Sequence, residues 1–180
     1  MDFSLTNEQK MIIDTLKTFV EQELYPHEME VEKTNQIRPE LAAQIKQKAL
    51  DLGLYAANMP EEHGGAGLDT LTLCLMEREL GRANFGLQYI VARPSNILLA
   101  CKGDQIENYL LASIRGDKVD CLAMTEPNAG SDVRSMQCRA ERDGDGFVIN
   151  GTKHFISHAD AADFVILFAA SGVEQTSRGP

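Results

Sequence analysis

Positive charge is scarce in this sequence, and no run of basic residues occurs in it. The 180 residues include 17 Lys and Arg against 27 Asp and Glu, so the formal net charge is −10. Nucleic acids and anionic membrane surfaces attract proteins that concentrate Lys and Arg side chains. The composition therefore argues against a nucleic-acid partner and against binding to a membrane surface.

Cysteine is also sparse, and the four cysteines stand far apart in the chain. They form no Cys-x-x-Cys pair and no cluster with histidine at metal-ligand spacing, so no metal site is predicted. We expect these cysteines to behave as small buried hydrophobic residues, and the alternative is that one of them is a reactive thiol. Free cysteines of this kind are typical of a reducing compartment, which predicts a cytoplasmic protein. The four are Cys74, Cys101, Cys121 and Cys138.

Long hydrophobic runs are missing. The longest apolar stretch, residues 164–170, is too short to span a bilayer. Residues 1–8 contain neither the basic region nor the apolar core of a signal peptide. Hydrophobic residues nevertheless make up 43% of the chain and charged residues 24%, a balance typical of globular proteins. We therefore expect a folded chain with its own core and no membrane segment.

The first part of the chain has helical periodicity. Residues 6–9, Thr-Asn-Glu-Gln, match a capping box, and the helix that follows is expected to end near Tyr25 and Pro26. A second helix is predicted from Pro39 to a stop at Gly53. The residues expected to face the core are Ile12, Leu16, Phe19, Val20 and Leu24 in the first helix and Leu41, Ile45, Ala49 and Leu52 in the second.

Three further helices are predicted before residue 117. Residues 68–80 are apolar on nearly all sides, which indicates a helix buried inside a bundle. A helix over 87–99 must accommodate Pro94 as a kink or a first-turn residue. The last helix, 105–115, has Asp104 as its expected N-cap. Its expected inward residues are Ile106, Tyr109, Leu110 and Ile114.

After residue 117 the apolar period changes to two, which is typical of strands. Residues 136–141 alternate, residues 143–146 have turn chemistry, and residues 147–149 resume a strand. Asn150-Gly151 is a strong hairpin signal, and a buried strand is expected over 164–168. Residues 171–180 are expected to form a polar linker or an interrupted loop. The sequence therefore predicts an α+β chain, with a helical bundle followed by the start of an antiparallel β domain.

A polar turn over residues 123–132, Ala-Met-Thr-Glu-Pro-Asn-Ala-Gly-Ser-Asp, contains the sharpest local pattern. Such a turn can present N–H groups and hydroxyls to an anionic or carbonyl-rich ligand. Pro, Asn, Gly, Ser and Asp are also common in ordinary turns. Taken by itself, the pattern leaves both interpretations open.

Residues 122–132, together with 151–157 (Gly-Thr-Lys-His-Phe-Ile-Ser), resemble the acyl-CoA dehydrogenase family. Residues 60–68 and 79–82 are similar to landmarks of the helical domain of that family. The resemblance covers essentially the whole chain. It implies an all-α N-terminal domain over 1–119 and the first part of a middle, antiparallel β-barrel-like domain over 120–180. The C-terminal helical bundle of the family would be absent.

The resemblance also implies FAD as the cofactor. Met124 and Thr125 would hydrogen-bond the isoalloxazine near N5 and O4, and Gly130 and Ser131 would approach the pyrophosphate. Ser131 would also touch the CoA arm of the substrate. Phe155 would pack against the flavin ring, where the family often has Trp, and the hydroxyl of Ser157 would reach N5. The implied cofactor-binding residues are Leu122, Ala123, Met124, Thr125, Gly130, Ser131, Phe155, Ile156 and Ser157.

The chemistry implied is the α,β-dehydrogenation of an acyl-CoA thioester. A carboxylate removes the α-proton while the β-hydrogen leaves as hydride to flavin N5. The base is expected beyond residue 180, so no acid here is assigned to it, and Glu126 is expected to be a solvated turn residue. The 180-residue chain alone is therefore expected to be inactive and to hold flavin weakly. The helices 68–80 and 87–99 would help to line an acyl tunnel.

The implied partners are an acyl-CoA, an electron-transfer flavoprotein as electron acceptor, and further copies of the chain in a dimer or tetramer. Three alternatives to a dehydrogenase remain. An acyl-CoA oxidase or a flavin monooxygenase would use the same scaffold with a different oxidant or reaction. A non-catalytic helical interaction module would use only the bundle.

Overall fold

A computed structural model of the chain describes residues 4–91 and 94–171. The chain forms two compact units, residues 1–117 and 118–180, called here the helical unit and the β unit. Among the residues described, no helix combines the length and the apolar character that crossing a membrane requires. The linker predicted over 171–180 lies, apart from its first residue, outside the described residues.

The helical unit consists of α-helices joined by short 3-10 and π turns. Helix α1 spans Asn7–Phe19, α2 Glu28–Thr34, α3 Pro39–Asp51, α4 Thr70–Leu80, α5 Phe85–Ile90 and α6 Ala112–Ile114. The 3-10 turns are Tyr25–His27, Glu61–His63 and Asn96–Ala100, and the π-helical segments are Val20–Leu24 and Ile106–Leu111.

Helix α1 begins with the predicted capping box. Gln9 donates its N–H to the Thr6 hydroxyl at 3.1 Å, and Thr6 donates its N–H to the Gln9 side chain at 3.1 Å. The side-chain amide of Gln9 also donates to the hydroxyl of Thr72, which ties α1 to α4. Of the expected core residues, Leu16, Phe19, Val20 and Leu24 are buried, and Ile13 is buried in place of Ile12.

Helix α3 begins at Pro39, as predicted from the tolerance of the first helical turn for a residue without an N–H. Leu41, Ile45 and Ala49 are buried on one face. Leu52 does not share that face and is 52% exposed, because the helix ends at Asp51. Gly53 then takes a positive φ of 66°, which is the predicted helix stop.

Helix α4 differs from the prediction of a helix buried on all sides. It begins at Thr70, because the side chain of Asp69 accepts the N–H groups of Leu71 and Thr72. Met76 and Leu80 face the core, whereas Leu71 is 58% exposed. Cys74 on the same helix is also exposed, so the expectation of buried cysteines is wrong there; Cys121 and Cys138 are buried and Cys101 is half-buried.

The single helix predicted over 87–99 is wrong. The structure has α5, which ends at Ile90, and a separate 3-10 turn over Asn96–Ala100. Pro94 lacks an N–H and disfavours helical backbone at the residue before it, so one continuous helix is interrupted in this region.

The helix predicted over 105–115 exists, but Asp104 is not its N-cap. Asp104 is already helical, and the side chain of Gln105 accepts the N–H of Lys102 at 3.1 Å. Leu110 and Ile114 are buried as expected. The other two expected inward residues, Ile106 and Tyr109, are each 37% exposed.

In the part of the β unit that the structure describes, residues 118–171, four strands make two small sheets. They are β1 Asp120–Ala123, β2 Arg139–Asp143, β3 Gly146–Asn150 and β4 Phe164–Leu167. Strands β2 and β3 are antiparallel, with Asp143 opposite Gly146 across the predicted turn. Strands β1 and β4 are parallel, with Cys121 opposite Val165, which corrects the expectation of a wholly antiparallel domain. The described residues form no closed barrel, and the α+β class is confirmed.

The hairpin predicted at Asn150-Gly151 is wrong. Strand β3 ends at Asn150, and the following residues, 151–156, form no strand. A Cβ on Gly151 would lie 2.6 Å from the Cα of Cys138. Glycine is therefore needed here for close backbone approach rather than for a two-residue turn.

Candidate functional site

The first polar segment, defined as residues 124–131, leaves strand β1 at Ala123 and folds back on itself. Glu126 donates its N–H to the carbonyl of Ala129 at 2.9 Å, and Ala129 donates its N–H to the carbonyl of Glu126 at 3.2 Å. Pro127 and Asn128 form the corner between them, as their turn chemistry predicts. The side chain of Asp132 then accepts the N–H of Arg134 and starts a 3-10 turn.

The second polar segment, defined as residues 151–157, lies directly beside the first. His154 donates its N–H to the carbonyl of Thr125 at 2.9 Å. The ammonium of Lys153 donates to the carbonyl of Met124, also at 2.9 Å. The two segments that the sequence marked separately therefore meet in space within the β unit.

Glu126 lies at the junction of these segments, and its side chain is 4% exposed. It accepts from the ammonium of Lys153 at 2.8 Å and from the N–H groups of Gln137 at 2.6 Å and Cys138 at 2.9 Å. The hydrogen bond from Lys153, followed by those from the two N–H groups, lowers the pKa of Glu126 to about 2. The expectation of a solvated turn residue is wrong, because three donors replace the water around this carboxylate.

The predicted site residues differ in exposure. Ala123 is buried; Met124, Thr125 and Ile156 are half-buried; and Leu122, Gly130, Ser131, Phe155 and Ser157 are exposed. Met124 and Thr125 contact the second segment directly. No hydrogen bond joins Gly130 or Ser131 to that segment within the described part of the chain.

The carbonyls of three successive residues at the end of β1 accept hydrogen bonds from protein. Ala123 accepts from the N–H of Phe168 at 3.0 Å, and the carbonyls of Met124 and Thr125 are held as described above. For residues 4–91 and 94–171, the hydroxyls of Thr125, Ser131 and Ser157 have no protein partner. The site therefore offers hydroxyl donors to a ligand rich in carbonyl and phosphate oxygens.

Phe155 is conformationally unusual. Its φ is 54°, a left-handed value that is rare for a bulky residue, and its side chain is 82% exposed. The ring stacks on that of His154, with centroids 3.5 Å apart and planes 21° apart. Backbone strain of this kind is often found at ligand-binding sites. Burial of the ring does not compensate for the strain here, because the ring is exposed, and an exposed aromatic face is available to a ligand.

Lys153 and the buried state of Glu126 are the features that sequence reasoning missed. Both residues stand inside the quoted segments, but 27 residues separate them. The only signal was an acid in one polar segment and a lysine in the other, which sequence periodicity does not bring together.

Two family models match the chain, and they describe two domains of the same kind of protein. The acyl-CoA dehydrogenase N-terminal domain matches residues 6–117, and the acyl-CoA dehydrogenase middle domain matches residues 121–179. The chain belongs to the acyl-CoA dehydrogenase family. The resemblance read from the two polar segments is confirmed by these matches.

Individual relatives agree with this assignment. Benzylmalonyl-CoA dehydrogenase of Aromatoleum aromaticum is 34% identical over 97% of this chain and 47% of its own length. The probable acyl-CoA dehydrogenase YngJ of Bacillus subtilis is 36% identical over 96% of this chain and 46% of its own length. The chain thus spans about half the length of the curated relatives that it matches.

A solved structure, the FAD complex of PigA, superposes with a TM-score of 0.83 at 28% identity, covering 97% of this chain and 46% of that one. The acyl-CoA dehydrogenase family is FAD-dependent, and a matching solved structure is that of an acyl-CoA dehydrogenase from Bacillus anthracis complexed with FAD. The donors and the exposed ring of the two polar segments fit such a cofactor, because a flavin nucleotide offers carbonyl oxygens, phosphates and a flat ring face.

Proposed function

We propose that this chain provides the N-terminal domain, residues 1–119, and the first part of the middle domain, residues 120–180, of an FAD-dependent enzyme that dehydrogenates an acyl-CoA between Cα and Cβ. The observation that carries the proposal is the meeting of the two polar segments, with the N–H of His154 on the carbonyl of Thr125 at 2.9 Å. Their free donors and the exposed ring of Phe155 lie on segments joined to each other, where one flavin would contact both.

The residues of the two segments would have different tasks. The Thr125 hydroxyl and the backbone beside it would bind the polar edge of the isoalloxazine, with Leu122 and Ala123 supporting this stretch from strand β1. Phe155 would cover a face of the ring, backed by Ile156, and Ser157 would donate toward N5. Gly130 and Ser131 would contact the pyrophosphate, and Ser131 also the CoA arm. When bound, FAD supplies the acceptor for the β-hydride of the acyl chain.

Glu126 is not the catalytic base in this proposal. Its carboxylate already accepts three hydrogen bonds, and a pKa of about 2 makes it a poor acceptor for an α-proton. We propose that the base comes from a segment that corresponds to the part of the acyl-CoA dehydrogenase relatives that this chain does not match.

The proposal has three further parts. The electron acceptor is an electron-transfer flavoprotein, the assembly is a dimer or tetramer, and the location is cytoplasmic. Peroxide formed at each turnover of the intact protein would instead identify an acyl-CoA oxidase. Electron transfer to an added electron-transfer flavoprotein, without peroxide, is the expected result.

The test is anaerobic bleaching of the flavin in the native full-length polypeptide by straight, branched and aromatic acyl-CoAs. We expect stoichiometric FAD and bleaching by at least one class of acyl-CoA, with formation of the enoyl-CoA.

Thr125→Val should weaken FAD binding about tenfold, the effect of one lost hydrogen bond of about 1.4 kcal/mol. Thr15→Val, on the exposed surface of α1, is the matched control and should change nothing. A polypeptide that retains no FAD would overturn the proposal.

A further inference from the structure

The ion pair between Glu126 and Lys153 is the most deeply buried one described in the β unit. The two side chains are 4% and 9% exposed, and the ammonium lies 2.8 Å from the Glu126 carboxylate. Removing charges from water is costly, so a pair at this depth needs further partners to persist. It has three: Lys153 holds the carbonyl of Met124, and Glu126 holds the N–H groups of Gln137 and Cys138.

These contacts join three stretches of backbone. Glu126 belongs to the turn after β1, Gln137 and Cys138 precede β2, and Lys153 follows β3. One carboxylate and one ammonium therefore set the spacing of all three stretches at the place where the two polar segments meet.

Residues 153 and 154 of the second polar segment hold the peptide planes on both sides of Thr125, and the ion pair contributes the contact on the Met124 side. Lys153 holds the carbonyl of Met124, and His154 holds the carbonyl of Thr125. The peptide bonds described here are not cis, so each C=O and the N–H of the next residue point in opposite directions. Holding the carbonyl of Met124 therefore directs the N–H of Thr125 away from Lys153.

We propose that Lys153 is a positioning residue for the flavin, with Glu126 as its anchor: together they orient the N–H of Thr125 for hydrogen bonding to the ring. The proposal rests on the function proposed above. Lys153 acts through the carbonyl of Met124 and needs no contact with the ring. A fixed donor costs no reorganisation when charge develops on the ring, which is why its orientation matters to binding and to redox chemistry.

The first test replaces both charges together, as Glu126→Gln with Lys153→Met, in the full-length FAD-loaded protein. Removing both charges avoids a buried carboxylate without a partner, so we expect the variant to fold. The FAD dissociation constant should rise about tenfold, and the visible flavin spectrum and the reduction potential should shift, since the N–H of Thr125 is no longer held in one orientation. A merely structural pair would change the thermal midpoint without changing these flavin properties.

The matched control is Glu23→Gln with Lys48→Met, which removes a less buried ion pair of the same residue types from the helical unit. It should leave the FAD dissociation constant and the spectrum unchanged. Lys153→Arg is the second variant. It keeps the positive charge but replaces the compact ammonium, which donates to the carbonyl of Met124, with a planar guanidinium. We expect FAD binding to weaken several-fold at a near-normal thermal midpoint.

Each outcome decides the matter. A folded double variant with the wild-type dissociation constant and spectrum would overturn the positioning role. So would loss of the fold in both the double variant and Lys153→Arg, because the pair would then serve structure alone. A wild-type protein that binds no FAD would overturn both this inference and the function on which it rests, whereas failure of the variants alone leaves that function standing.

Discussion

The helical unit and the β unit bury their apolar side chains very differently. The largest side chains with almost no exposure, such as Leu16, Ile45 and Met59, all belong to the helical unit. In the β unit, Phe147 and Val165 are 59% and 55% exposed. Amphipathic helices can bury their apolar faces against one another, whereas a two-stranded sheet by itself buries little apolar surface.

The comparison shows that the two units depend on different forces. The helical unit rests on close packing of apolar residues. In the described part of the β unit, the buried apolar side chains are small, and polar contacts around Glu126 and Lys153 join its segments. Substitutions that remove core volume should act mainly on the first, and those that disturb polar contacts or close backbone approach mainly on the second.

The largest expected effect comes from Leu16→Ala in the helical unit. Leu16 is 0% exposed, and losing a fully buried leucine side chain costs about 3 kcal/mol through transfer and cavity terms. Hydrogen exchange resolved by peptide should show faster exchange in the helical unit and little change in the β unit. Met11→Ala on the same helix is the control, since Met11 is 69% exposed. Equal losses in both variants would contradict the packed position of Leu16, and equally faster exchange in the β unit would contradict the contrast between the units.

In the β unit, Gly151→Ala should destabilise by about 2 kcal/mol, the usual size for overpacking. The added methyl would lie 2.6 Å from the Cα of Cys138, so backbone must move. Gly146→Ala is the control, because the nearest atom to its Cβ is 3.8 Å away. Faster hydrogen exchange confined to the β unit is the expected readout, and wild-type exchange in Gly151→Ala would refute the close approach.

Acid should weaken the β unit through Glu126. Its pKa is about 2 in the folded protein against the usual 4.5, so its contribution is complete above about pH 4.5 and declines as the pH falls toward 2. Glu126→Gln should flatten this dependence in denaturation curves followed by hydrogen exchange.

The helical unit supplies the comparison for this experiment. Hydrogen bonds from Thr72, first of all from its hydroxyl at 2.6 Å, lower the pKa of the exposed Asp69. Asp69→Asn should therefore alter the acid response of the helical unit only. An acid response of the β unit that survives Glu126→Gln would show that other groups control it.

A smaller effect is expected for Thr6→Ala, which removes the N-cap of α1 and should cost about 1 kcal/mol. Urea denaturation of the helical unit measures it. Thr15→Ala in the interior of the same helix serves as the reference, because it removes no capping hydrogen bond. A loss no larger than that of the reference would mean that tertiary packing alone holds the start of α1.

The smallest effect is expected for Phe147→Thr on strand β3. The ring is exposed and touches Arg142, whose guanidinium carbon is 5.9 Å from the ring centroid, so the change should stay within about 0.5 kcal/mol. Urea denaturation would sharpen the comparison with Leu16→Ala, a change of similar kind at a packed position. A loss as large as that of Leu16→Ala would show that Phe147 belongs to a core.

Local chemistry made much of the helical unit predictable. The capping box at Thr6 and Gln9, the start of α3 at Pro39 and the positive φ of Gly53 all depend on groups within a few residues of one another. The break after α5 was harder, because apolar periodicity continues through Pro94 and only the missing N–H signals the interruption.

In the β unit, the sequence by itself determined the two polar segments and the turn at residues 143–146, since turn-forming residues act on their own backbone. Only the tertiary structure decided the parallel pairing of β1 with β4, the close approach of Gly151 to Cys138, and the burial of Glu126 against Lys153. Those features join residues far apart in the chain, and the energy of a buried charge depends on the partners that the fold brings to it.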